Sequence, residues 1–134
     1  MAKVKEIEGI GPAYAEKLSA AGLTTTEALL EAGATPKGRA DLAAKTGISD
    51  KLILRWVNMA DLFRIKGVAE QYSDLLEAAG VDTVVELAQR KAENLQAKMV
   101  EVNTEKNLVR RVPTLAEVTS WVDQAKGLPR MVNY

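Results

Sequence analysis

The chain contains no cysteine and no histidine. The first absence excludes a disulfide framework, a thiolate metal site and a cysteine nucleophile. The second removes the commonest general base and the commonest metal ligand. Aromatic residues are scarce, with one Phe, two Trp and three Tyr, so any core is built chiefly from aliphatic side chains. Net charge is missing as well: 18 basic residues cancel 18 acidic ones, which argues against a strongly electrostatic binder of the histone or ribosomal kind. No apolar run approaches the length of a membrane span, and Met1-Ala2-Lys3-Val4-Lys5-Glu6 lacks the apolar stretch of a secretory signal. Walker loops, dinucleotide fingerprints, nucleophile elbows and zinc patterns are all absent. Carboxylate pairs such as Glu6/Glu8 and Glu101/Glu105 fit solvated helix faces. The expectation is a cytoplasmic protein without membrane contact that is not an enzyme and carries neither cofactor nor metal.

What the chain does have is helix-forming sequence. Its 134 residues are 47% hydrophobic, with alanine, leucine and charged helix formers dominant. That suits an all-α domain with one core, or two small halves sharing one. One stretch organises the rest: Ile7-Glu8-Gly9-Ile10-Gly11-Pro12-Ala13-Tyr14-Ala15-Glu16-Lys17-Leu18, then Ala20-Ala21-Gly22-Leu23. Gly9-Ile10-Gly11 makes a tight turn with Ile10 pointing inward. Pro12 suits the first helical position, where its missing N–H is no loss. Tyr14, Ala15 and Leu18 share one helix face, and Gly22 closes the helix.

The pattern recurs fifty-eight residues later. Nine positions are identical at this offset: Ile7/Ile65, Gly9/Gly67, Tyr14/Tyr72, Leu18/Leu76, Ala20/Ala78, Ala21/Ala79, Gly22/Gly80, Thr25/Thr83 and Leu29/Leu87. Further on, Leu42 and Lys45 are echoed by Leu95 and Lys98, and Trp56, Val57 and Ala60 by Trp121, Val122 and Ala125. An internal duplication follows, about residues 5–62 against 63–128, within a single domain over 1–134 that ends in a short tail, 127–134. Between its last two echoes the second half gains twelve residues, assigned to 103–113, the longest stretch without a clear period.

Helix starts are expected at Pro12, at Thr24 (in a capping box with Glu27), at Thr35-Pro36, at Ser49 or Asp50, and near Ala69. Two further capping boxes, Thr83 with Glu86 and Thr114 with Glu117, open later helices. Trp56, Trp121, Leu18, Leu76, Leu29 and Leu87 are expected in the core, with Tyr14 and Tyr72 as equivalent packing residues. The Thr35-Pro36-Lys37-Gly38-Arg39 segment reads as a solvated loop.

The short helix, glycine turn and second helix resemble the helix-hairpin-helix motif, and two of them resemble the tandem helix-hairpin-helix domains of DNA repair and processing proteins. The phrasing of the first unit is similar to a bacterial helix-hairpin-helix-like family of unknown function. The resemblance implies two pseudo-equivalent helical halves forming one compact all-α domain. It also implies double-stranded DNA as partner, bound from the minor-groove side largely without sequence preference. Phosphate contact is then expected at Gly9, Ile10, Gly11, Ala13 and Lys17, with Lys3 and Lys5 nearby, and additionally at Lys66, Gly67, Arg110 and Arg111. The second turn, Gly67-Val68-Ala69, has lost one glycine, and Glu70 and Asp74 stand on its helix. Carboxylates there compete with an incoming phosphate, so it reads as a structural copy.

Charge is uneven along the chain. Residues 34–69 carry seven basic and three acidic side chains, residues 70–89 five acidic and no basic ones, and residues 90–111 six basic and three acidic ones. The nets are therefore 7 − 3 = +4, −5 and 6 − 3 = +3. If the two positive blocks share a face, a neutral chain still presents a basic patch. If the positive blocks of one copy meet the negative block of another, a homo-oligomer forms. Two functions follow: a non-catalytic DNA-binding module, or a protein-interaction and self-assembly module that contacts its partner through loop 103–113 and tail 127–134.

Overall fold

A computed structural model of the protein describes residues 3–7, 9–68 and 70–134. Among them the chain is all-helical. A 3-10 turn, Val4–Glu6, precedes α1 (Pro12–Ala20), α2 (Thr26–Ala32), α3 (Pro36–Thr46), α4 (Asp50–Leu62), α5 (Glu70–Ala78), α6 (Val84–Ala88), α7 (Ala92–Lys106) and α8 (Leu115–Lys126). None of these helices is long and apolar enough to cross a membrane.

Most helices start where a hydroxyl or a proline dictates. Ser49, Thr83 and Thr114 accept hydrogen bonds from the backbone N–H three residues on, and Pro12 and Pro36 occupy first turns. Three expectations shift. The cap of α2 is Thr25, whose hydroxyl accepts from the Ala28 N–H, and not Thr24. Three consecutive threonines make that register ambiguous in sequence. The segment after Thr35 is the first turn of α3 rather than a loop, and Arg39 on it is buried. Finally, α7 continues through Lys106, so only residues 107–113 form a connection. The start expected near Ala69 falls on a residue outside the described ones.

Buried apolar side chains form two clusters, one in each half, rather than one shared core. The first gathers Ile7, Ile10, Leu18, Leu29, Ile53, Trp56 and Met59; the second gathers Leu62, Ile65, Leu75, Leu76, Leu87, Leu95 and Trp121. All six residues expected in the core are buried. The halves repeat each other in detail. The Leu23 N–H donates to the Leu18 carbonyl at 2.8 Å, and the Val81 N–H to the Leu76 carbonyl at 2.9 Å, the same closing hydrogen bond after each terminating glycine.

Two devices join the clusters. The first is Asp61, almost fully buried near the end of α4. Its carboxylate accepts from Arg64 Nη1 and from the backbone N–H of Val84 at the start of α6, both at 2.8 Å. The second is the tail. Arg64 Nη2 donates to the Pro129 carbonyl at 2.8 Å, and Val132, 2% exposed, inserts into the first cluster. The Asn133 N–H donates to the Ala34 carbonyl, and Arg39 donates to the carbonyls of Gly33 and Asn133, each at 2.8 Å. The tail therefore packs back on its own chain. Gly33 belongs to the same joint through its carbonyl, and a Cβ there would collide with the Val57 side chain.

Deleting residues 129–134 removes Val132 from the core and an acceptor from a buried guanidinium. In urea unfolding we expect a loss of about 2–5 kcal/mol. Val132→Ala alone should cost about 1–3 kcal/mol. An unchanged midpoint for both variants would show that the tail is not part of the fold.

Candidate functional site

The first glycine turn is set by its hydrogen bonds and by what lies beneath it. The Ile10 N–H donates to the Ile7 carbonyl at 3.1 Å, and the Ile10 side chain is 6% exposed, so this residue anchors the turn from inside. Gly9 has φ +93°, a left-handed conformation that favours glycine. Gly11 is the N-cap of α1 and brings no side chain to satisfy it. Pro12 has no N–H to offer, which leaves the Ala13 and Tyr14 N–H groups at the start of the helix without intrahelical acceptors. Gly9, Gly11, Pro12 and Ala13 are exposed, and nothing lies within 4 Å of where a Gly11 Cβ would sit. The turn thus leads into an exposed, uncapped helix N-terminus with the Ala13 and Tyr14 N–H groups outside the intrahelical ladder, a setting suited to a phosphate oxygen.

The support is aromatic. A Cβ on Gly9 would lie 3.6 Å from Trp56 Nε1, and Tyr14 packs edge-on to the Trp56 ring, with centroids 5.1 Å apart. Trp56 Nε1 is buried and has no hydrogen-bond partner among the described residues. The second half builds the same unit. Gly67 has φ +94°, the Val68 N–H donates to the Ile65 carbonyl at 3.1 Å, Trp121 Nε1 lies 3.0 Å from a Gly67 Cβ position, and Tyr72 packs 5.3 Å from Trp121. Both tryptophans are core platforms for their turns and not exposed stacking surfaces.

The predicted site residues divide as follows. Gly9, Gly11 and Ala13 form the exposed turn, and Lys17, exposed on α1, places its ammonium 5.9 Å over the Tyr14 ring. Ile10 contributes no donor, since its N–H is already bonded. Lys3 and Lys5 line a groove of about 380 Å³ with Ala15, Ser19, Thr24 and Thr25. Arg39 leaves the basic patch, because it is buried against the tail. Around the second turn the structure gathers residues far apart in sequence. Gly67, Glu70, Gln71, Tyr72, Arg110 and Arg111 line one cleft of about 420 Å³. The backbone of Lys66 is clamped by Gln124, which accepts from its N–H at 2.9 Å and donates to its carbonyl at 3.2 Å.

The 107–113 connection that carries the two arginines is firmly held. Asn103 makes paired hydrogen bonds to the backbone of Val109, at 2.9 and 3.1 Å, and Asn107 closes α7 in the left-handed region. The Tyr72 hydroxyl donates to the Arg111 carbonyl at 2.9 Å. The Arg111 fork then meets Glu117 at 2.7 and 3.0 Å, in a bidentate pair. Arg110 has no ion-pair partner among the described residues and is exposed.

Sequence reasoning missed Arg55. It appeared only as one member of a basic block, yet a Cβ on Gly9 would sit 3.3 Å from its Nη1. Its Nε bonds both carboxylate oxygens of Glu77, at 3.2 and 3.1 Å, and its Nη2 lies 3.9 Å from Asp74. The one available signal was its place next to Trp56.

The Glu117 carboxyl is held well below its ordinary value of 4.5, at about 2, first by the hydrogen bond from Arg111 and then by the Thr114 N–H. Because the folded value is depressed, the pair stabilises the connection above the ordinary carboxylate pKa. That contribution fades as pH falls from there toward 2. A carboxyl-carbon NMR titration should place the Glu117 midpoint near 2, and Arg111→Gln should move it back toward the ordinary value. An unshifted midpoint in the unsubstituted protein would show that the pair does not form.

Comparison with curated proteins and with solved structures gives no significant match. A family model does match, over residues 8–128 and so over both turns and all eight helices. The chain belongs to the family described as Domain of unknown function (DUF4332).

Proposed function

We propose that the chain is a tandem helix-hairpin-helix module that binds phosphates of double-stranded DNA through the first turn, largely without sequence preference. In this reading it performs no catalysis and works in the cytoplasm. One observation carries it: the N-terminus of α1 has no side-chain cap, and Gly9, Gly11 and Ala13 around it are exposed. Lys17 adds a cation on the same helix. Lys66, Gly67, Arg110 and Arg111 make a second, weaker contact, tempered by Glu70 at the start of α5 and by the Glu117 partner of Arg111. The duplicated gene, on this view, kept one turn open and elaborated the other.

The alternative is a self-assembly module using the turns as scaffold. It draws on the exposed Leu115 and Tyr134. It has less support, because Val132 and Asn133 of the tail are occupied within the chain. The oppositely charged blocks also meet internally, through Arg55 with Glu77 and Arg90 with Glu86.

A salt series of duplex binding tests the reading. Two to four phosphate contacts predict a slope of log K against log[salt] of about −2 to −4. Lys17→Glu should weaken binding about tenfold at low salt, since it replaces an attraction with a repulsion. No binding of duplex DNA at low salt would overturn the proposal, and concentration-dependent oligomers in sedimentation would then favour assembly.

A further inference from the structure

The first turn has a cation beside it from a different helix, at a position where its repeat carries none. At the echo offset that pairs Trp56 with Trp121, the residue matching Arg55 is Ser120. The Ser120 hydroxyl accepts from Gln124 Nε2 at 3.3 Å and offers no charge. The second turn takes its guanidinium from the inserted connection instead, where Arg110 stands in the cleft with Gly67. Each turn thus has an arginine near it, supplied by unrelated routes.

The geometry of Arg55 is divided. Its Nε and Nη2 edge faces carboxylates of α5, closely at Glu77 and more loosely at Asp74. Its Nη1 end lies against Gly9, 3.3 Å from where a Cβ at that position would sit, and no hydrogen-bond or ion-pair partner for it occurs among the described residues. The side chain is 39% exposed, so the fork is reachable from solvent. Beside the same glycine, 3.6 Å from its Cβ position, is the buried indole N–H of Trp56, which has no hydrogen-bond partner among the described residues. Donors therefore converge on this turn from the backbone and from two consecutive residues of α4.

We propose that Arg55 is a phosphate-contacting residue of the first turn, and that Glu77 restrains it by competing for the same guanidinium. This rests on the phosphate-binding reading above. A guanidinium fork engages carboxylate and phosphate by the same paired hydrogen bonds, so the α5 carboxylates occupy the edge that an incoming phosphate would otherwise share. Acidic α5, whose carboxylates weaken the second turn, then also sets the affinity of the first. Duplex DNA binds by drawing Nη1 onto a phosphate while Glu77 keeps Nε, and removing the Glu77 charge frees the Nε edge, leaving only the looser Asp74 contact at Nη2.

The test is a salt series of labelled-duplex anisotropy on the full chain and three variants. Arg55→Gln should reduce the magnitude of the salt slope by about 0.9, the value of one phosphate contact, and lower affinity several-fold at low salt. Arg55→Lys should keep the slope. Glu77→Gln removes the same ion pair but keeps the cation, and should raise affinity about threefold. If Glu77→Gln weakens binding as Arg55→Gln does, the effect belongs to the lost ion pair and the proposal is overturned. An unchanged slope in Arg55→Gln, with Lys17→Glu still weakening binding, overturns it while leaving the DNA reading intact. Absence of salt-dependent binding by the unsubstituted chain fails that reading itself.

Discussion

In each half an indole ring lies flush against a glycine held in the left-handed region, with a tyrosine edge-on to the ring. The constraint works in both directions. A Cβ would lie 3.0 Å from the Trp121 indole at Gly67 and at ordinary contact distance from Trp56 at Gly9, so the glycine is required first for its backbone conformation. The glycine in turn lets the chain come close enough for the next residue, Ile10 or Val68, to reach the core. The apolar clusters grow outward from these two contacts. Gly9 and Gly11 of the first turn are left exposed to solvent.

Because each half has its own cluster, what makes them one molecule is a set of long-range polar joints together with the tail, whose Val132 enters the first cluster. Asp61 accepts from both Arg64 and the Val84 N–H, and Arg64 passes the connection on to the Pro129 carbonyl. Arg39 does a similar job at the other end of the tail with two carbonyl acceptors. A buried charge that loses one hydrogen-bond partner is more costly than a missing methyl, so these joints resist sliding more than apolar contact alone would. The same economy of charge governs the surface, where the negative block of α5 and α6 lies against basic residues of α4 and of the α6 terminus. Neutrality overall thus coexists with local basic character at the turns.

The insertion in the second half illustrates how a repeat diverges. Asn103 and Asn107 end α7 and pin the connection, Tyr72 holds the Arg111 carbonyl, and Glu117 sets the direction of the Arg111 fork. The turn with one glycine has arginines on the 107–113 connection beside it, and the turn with two glycines has its arginine on α4. Within one family match and one all-helical fold, the chemistry around the two turns is what distinguishes the halves.

Periodicity, caps and repeat identities determined much of this protein by themselves. Helix starts at Pro12, Pro36, Ser49 and Thr114 follow from local rules, since a hydroxyl or a proline acts within three residues of itself. The burial of Trp56 and Trp121 followed from their echoed places on apolar stripes, and the exposure of Gly9 and Gly11 from the turn they form. Other features depended on contacts between distant residues and had no local signature. The tertiary structure alone decided that Arg39 is buried beneath the tail, that Arg110 reaches the Gly67 cleft, and that Arg55 lies between Gly9 and Glu77. A side chain's partners across the fold are set by how helices cross, and the spacing of residues along one helix does not encode the crossing.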